Sequence, residues 1–192
     1  MATQVPIDQN LCAVGMLVDV SSSMKHMGVP KITEGCNAFL DEQRSADEVK
    51  GNRTTVFFGT FSTSYKLIHD GVDLKDMDSI TSEDVRPGGM TAMYDGISCF
   101  VDNVGERLSA MNPRPSNVVV FILTDGEENS STDFPGDEGR KSVFDKIKHQ
   151  EEVYSWRFYY AGANQDAMLV GKSLGISPDT CLGYEYSGGG IT

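Results

Sequence analysis

The sequence predicts an α/β domain built on a mostly parallel sheet of about six strands, one of them antiparallel, with helices on both faces. Three observations predict it. Residues 11–20 and 118–123 are near-continuous apolar runs, the pattern of strands buried on both faces of a parallel sheet. Segments with apolar residues at helical spacing alternate with the strand-like runs. The link Ser62-Thr63-Ser64 is too short for anything but a hairpin, so one strand must run antiparallel.

Each element follows in order. The first apolar run ends on Asp19. Pro30 then opens a helix whose Ile32, Cys36, Phe39 and Leu40 share one face. Residues 54–61 are β-branched and aromatic and form the second strand, with residues 65–69 as its hairpin partner. Residues 70–89 read as loop with one helical turn. Met93, Ile97, Phe100, Val104, Leu108 and Met111 recur at helical spacing, and Pro113 and Pro115 stop that helix. Residues 118–123 are the most apolar run and form the central strand. A polar loop over 129–139 leads into a helix over 138–154, with Val143, Phe144 and Ile147 inward. Trp156, Phe158 and Tyr160 alternate as core residues of a further strand over 156–161. A short helix over 164–174 and a last strand over 181–186 complete the pattern. No repeat or linker interrupts it, so residues 1–192 are expected to form one domain with its core over about 11–186.

Composition narrows the function. With 39% hydrophobic and 23% charged residues, the chain has enough apolar side chains for a packed core. Its net charge of -12 argues against nucleic acid and anionic membrane as partners and favours a protein surface. Cys12, Cys36, Cys99 and Cys181 are scattered without a C-x-x-C pair, and each has apolar neighbours. They are expected to be free, buried thiols, which suits a reducing cytoplasm. The first ten residues have neither a cationic start nor an apolar run, so no secretory signal is expected. Nothing approaches the roughly 18 apolar residues of a membrane span.

The chemistry gathers at two strand ends and one helix start. Asp19, Ser21 and Ser23 alternate, and in extended chain alternate residues point the same way. The central strand ends at Thr124-Asp125-Gly126, bringing a second carboxylate to the same sheet edge if the two strands are neighbours. In open α/β sheets, ligands bind beyond the carboxyl ends of the strands where the strand order reverses. Gly88-Gly89-Met90-Thr91 adds a hydroxyl beside a flexible hinge. As strand-end carboxylates, Asp19 and Asp125 are expected to lie outside the core. All these donors are hard oxygens, which suit Mg²⁺, with Mn²⁺ or Ca²⁺ as alternatives.

Asp-x-Ser-x-Ser at 19–23, Gly-Gly-x-Thr at 88–91 and Thr-Asp-Gly at 124–126 together resemble the metal-ion-dependent adhesion site of von Willebrand factor A domains. The resemblance runs over about residues 11–186 and implies the Rossmann-like three-layer fold of that family. It implies that Asp19, Ser21, Ser23, Thr91 and Asp125 form the metal site. It also implies a non-enzymatic module whose metal is completed by an Asp or Glu of a protein partner. Residues 121–129 and 161–167 resemble small microbial or phage-type members. One departure stands at the end: the closing helix of the family has no counterpart in residues 187–192.

Other signals carry less. Gly171-Lys172-Ser173 resembles the end of a phosphate-binding loop, but Asp166 stands where that loop needs glycine. His26 follows the metal loop and reads as a surface residue. Glu127 and Glu128 either tune the site's charge or are solvated carboxylates. A metal-dependent phosphohydrolase is the alternative function, although Ser21 stands where such enzymes place a second Asp. A scaffold subunit with a structural metal is the other.

Overall fold

In the computed structural model, which describes residues 5–163 and 166–184, one six-stranded sheet organises the chain. Its strands are β1 (Ile7–Asp19), β2 (Arg53–Phe61), β3 (Tyr65–Asp73), β4 (Arg114–Thr124), β5 (Arg157–Ala163) and β6 (Cys181–Tyr184). They lie in the order β3-β2-β1-β4-β5-β6, and every neighbouring pair is parallel except β2 with β3. The helices are α1 (Val29–Lys50), α2 (Met93–Ala110), α3 (Gly136–Tyr154) and α4 (Ala167–Ser173).

The apolar run of β1 is buried on both faces, as the sequence predicts, whereas in β4 Val118, Val120 and Ile122 are buried and Val119, Phe121 and Leu123 of the other face are half-buried. On one face, Ala13 and Leu17 of β1 and Val120 and Ile122 of β4 pack with Ile97, Phe100 and Val104 of α2 and Val143 and Ile147 of α3. On the other, Val14, Met16 and Val18 of β1 pack with Ile32, Cys36 and Leu40 of α1. Alternate residues of one strand thus feed two cores, and three layers result. Trp156, Phe158 and Tyr160 are all buried. Lys172 is exposed within α4, away from any strand-to-helix turn.

Glycines set how closely α2 approaches the sheet. A Cβ on Gly15 would lie 2.9 Å from the Phe100 ring, and one on Gly59 would lie 3.0 Å from it. A Cβ on Gly96 would lie 2.7 Å from Phe61 Cβ. The ring of Phe100 therefore stands over bare backbone.

Four expectations need correction. β3 continues past His69 to Asp73, because two register shifts and the left-handed Gly71 (φ 68°) carry the pairing through a bulge that periodicity does not reveal. α3 starts at Gly136, earlier than expected, with Asp137 and Glu138 in its first turn where they favour the helix dipole. α4 starts at Ala167, where the Asp166 side chain accepts from Leu169 N–H at 3.0 Å; Asn164 lies outside the described residues, as do Glu185 and Tyr186 of the last expected strand. The four thiols are free, but only Cys36 and Cys181 are buried. Cys12, within β1, and Cys99, within α2, are half-exposed.

Candidate metal centre

The order of the sheet makes β1 and β4 neighbours at the point where the chain reverses its direction of travel across the sheet. Their carboxyl ends therefore open into one crevice, which is where Asp19 and Asp125 stand.

Asp19 is the last residue of β1 and is fully buried. This corrects the expectation that a strand-end carboxylate lies outside the core. Its Oδ1 accepts the Ser21 N–H at 2.6 Å, and its Oδ2 accepts the Thr124 hydroxyl at 2.6 Å. Burial pushes the Asp19 pKa above the usual carboxylate value; the hydrogen bonds from Thr124 and Ser21 oppose that, and the nearby charge of Asp125 adds to it.

Beyond Asp19 the strand stops. Ser21 is still extended (φ -64°, ψ 169°), and Ser22–His26 then wind into a tight turn. That turn, and not strand alternation alone, brings the two serines together: Ser21 Oγ lies 2.9 Å from Ser23 Oγ. Ser23 in turn donates to Asp125 Oδ1 at 2.6 Å. Two serine hydroxyls and one carboxylate thus form a continuous chain of oxygens across the mouth of the β1–β4 crevice.

Thr91 arrives from the segment before α2. The expected hinge at Gly88-Gly89 is pinned, because Gly88 N–H donates to the Val20 carbonyl at 2.8 Å and Ser22 N–H donates to the Gly89 carbonyl at 3.0 Å. Gly89 is there for its shape: its φ is 83°, and a Cβ would lie 2.6 Å from Thr63 Oγ1. Thr91 itself is buried at 2% exposure. A Cβ on Gly126 would lie 3.2 Å from Thr91 Oγ1 and 3.6 Å from Ser23 Oγ, so these hydroxyls border one small space kept clear by glycine.

The structure brings together all five residues that the sequence singles out. It adds others. Thr124 holds Asp19. Asn129 bonds Thr91 twice, as acceptor from Thr91 N–H at 2.9 Å and as donor to the Thr91 carbonyl at 3.0 Å. Both stand in the segment 121–129 that carries the family resemblance, which was the available signal. Glu128 is not an ordinary solvated carboxylate. It accepts from Tyr94 N–H, Ser130 N–H, Ser131 N–H and the Ser131 hydroxyl, and so closes the first turn of α2. Asp95 is similarly occupied by the N–H groups of Thr132, Asp133 and Phe134. Glu127 and His26 are exposed.

These donors fit a hard divalent cation: hydroxyl and carboxylate oxygens around a cleared space, with no thiol or imidazole among them. Among the described residues, no cluster of three His, Cys, Asp or Glu side chains is arranged for a metal, so any site of this kind depends on hydroxyls.

No family model matches the sequence, and a search of curated proteins finds no match either. Solved structures do match. The von Willebrand factor A domain of the pilus tip protein Mfa5 from Porphyromonas gingivalis superposes with a TM-score of 0.62 at 8% identity, covering 96% of this chain and 91% of that one. This is the von Willebrand factor A fold. Proximal thread matrix protein 1 from the mussel byssus, solved with a zinc-occupied adhesion-site motif, has the same fold with a TM-score of 0.64 at 16% identity. The match covers 95% of this chain and 45% of the mussel protein. A von Willebrand factor type A protein from Catenulispora acidiphila superposes at 0.56 with 15% identity, over 93% of this chain and 38% of that protein. The chain thus spans less than half the length of two of these three proteins. Its topology is that of the von Willebrand factor A fold, and the five candidate residues lie at the carboxyl edge of its sheet.

Proposed function

We propose that the chain is a non-enzymatic, divalent-metal-dependent protein-binding module. The observation that carries this reading is the oxygen chain Ser21–Ser23–Asp125 at the β1–β4 crevice, with Thr91 and Asp19 beside it. Asp19, Ser21, Ser23, Thr91 and Asp125 would hold Mg²⁺, with Mn²⁺ or Ca²⁺ as substitutes. The zinc-occupied motif of the mussel protein supports a metal at this place in the fold.

The arrangement also supports an acidic partner residue. Asp95 and Glu128 spend their carboxylates on backbone N–H groups, which leaves Asp19 and Asp125 as the charges of the site. Three neutral hydroxyls complete the protein's share. A divalent ion prefers about six oxygens, so room remains for a carboxylate from outside. The bound ion supplies concentrated positive charge. The protein holds its own oxygens in place and offers one open side. No helix among the described residues is long and apolar enough to cross a membrane, and the net charge of -12 disfavours nucleic acid. We place the module in the cytoplasm, in keeping with its four free thiols.

The test is capture of partners from a lysate with Mg²⁺ and with chelator, followed by affinity measurement on the captured protein. At saturating Mg²⁺, Thr91→Ala should lower partner affinity tenfold or more, at least about 1.4 kcal/mol. Equal affinities for wild type and variant, with and without metal, would replace this reading with that of a scaffold. Turnover of a phosphate ester would replace it with that of an enzyme.

A further inference from the structure

Asn129 makes a two-sided contact that the metal-site reading does not use. Its side-chain Oδ1 accepts the Thr91 N–H at 2.9 Å, and its own N–H donates to the Thr91 carbonyl at 3.0 Å. The pair lies 38 residues apart in sequence and joins the loop that carries Asp125 to the segment that carries Thr91. Neighbouring contacts strengthen the join. Glu128 takes the Tyr94 N–H, and Ser131 Oγ takes the Asp95 N–H at 3.1 Å. From the other side, Ala92 N–H donates to the Ser62 carbonyl at 2.7 Å and Met90 N–H to Thr63 Oγ1 at 2.9 Å. Between these anchors, among the described residues, Asn129 is the one that bonds the backbone of Thr91 itself.

A threonine hydroxyl is a neutral and weak metal ligand, so its value depends on placement to within a fraction of an ångström. Asn129 is exposed while Thr91 is buried, so its contribution to core packing is small. We propose that Asn129 is a positioning residue: it fixes the backbone of Thr91 so that the threonine hydroxyl faces the metal space beside Gly126. The proposal rests on the metal-site reading above. The Asn129 side-chain oxygen and main-chain N–H tie the Asp125 loop to the Thr91 segment, beside the Glu128 and Ser131 contacts to the start of α2.

The experiment is a double-mutant cycle read by calorimetric titration of Mg²⁺ alone into the purified chain. Asn129→Ala should weaken Mg²⁺ binding on the order of tenfold, the usual cost of losing a residue that orients a ligand. Thr91→Ala should weaken it as well. The double variant should bind no more weakly than Thr91→Ala, because Asn129 acts through Thr91. Hydrogen exchange at the Thr91 amide should speed up in Asn129→Ala. Asn129→Asp keeps the Oδ acceptor and serves as the second variant; its affinity should stay at the wild-type level or rise. Unchanged affinity in Asn129→Ala, additive losses in the double variant, or a tenfold loss in Asn129→Asp would each overturn the proposal while leaving the metal site standing. A wild type that binds no Mg²⁺, or a Thr91→Ala variant that binds as well as wild type, would overturn the metal-site reading and this inference with it.

Discussion

Thr124 donates its hydroxyl hydrogen to Oδ2 of Asp19 at 2.6 Å, inside the protein and across the β1–β4 boundary. The bond holds a carboxylate that burial alone would drive toward its neutral form. Thr124→Val keeps the shape and removes the donor. It should cost about 1.5–3 kcal/mol in denaturant unfolding, the range for a hydrogen bond to a charged group. It should also raise the Asp19 pKa further. Protons compete with metal for Asp19, so Mg²⁺ affinity should weaken as pH falls through that pKa, and the variant should show the weakening at higher pH. Thr124→Ser should restore both properties. Identical pH profiles for wild type and Thr124→Val would show that the bond does not govern the site.

Gly126→Ala places a methyl group 3.2 Å from Thr91 Oγ1 and 3.6 Å from Ser23 Oγ. The methyl intrudes on the space the hydroxyls border. Mg²⁺ affinity should drop on the order of tenfold or more with the melting temperature nearly unchanged. Titration and thermal unfolding of the same sample would check it. A stable variant with full affinity would mean the ion does not use that space.

Gly89→Ala should damage stability as well as binding. It forces a side chain to φ 83° and 2.6 Å from Thr63 Oγ1. The backbone penalty alone is about 1–2 kcal/mol. Denaturant unfolding of the metal-free protein is the measurement, and an unchanged midpoint would count against the pinned geometry of this segment.

Cys36 offers a separate test of the interior. It is 5% exposed, and burial pushes its thiol from the ordinary value up to about 11. A raised folded pKa means the contribution is whole below about pH 9 and is lost as pH rises toward 11. The loss from this group is at most about 3 kcal/mol over that window. Cys36→Ala should flatten that part of the stability profile, measured by unfolding at several pH values. A variant profile parallel to wild type would contradict the buried thiol.

The five candidate residues were legible because they gather where pattern changes mark position: Asp19 at the end of an apolar run with Ser21 and Ser23 just beyond it, Asp125 after another, Thr91 before helical spacing begins. The parallel sheet and its single antiparallel strand were legible for the same reason. What holds the donors was not. Thr124 meets Asp19 only through the register of β1 on β4, and Asn129 meets Thr91 only through the path of a loop. Neither follows from local periodicity. Gly88-Gly89 looked like a hinge because glycine permits motion, but the hydrogen bonds to Val20 and Ser22 that restrain it come from another part of the chain. The same limit hid the burial of Asp19 and the bulge near Gly71.

Phe100 rests on two glycines of the sheet, Gly15 and Gly59, and its ring sets how low α2 rides. Thr91 lies two residues before that helix begins, so the height of the helix and the height of the hydroxyl are one variable. A bulkier residue at position 15 or 59 would lift the helix and retune the donor set without altering a single oxygen. The fit of the proposed metal site is therefore calibrated from the interior, by a ring that contributes no oxygen to it.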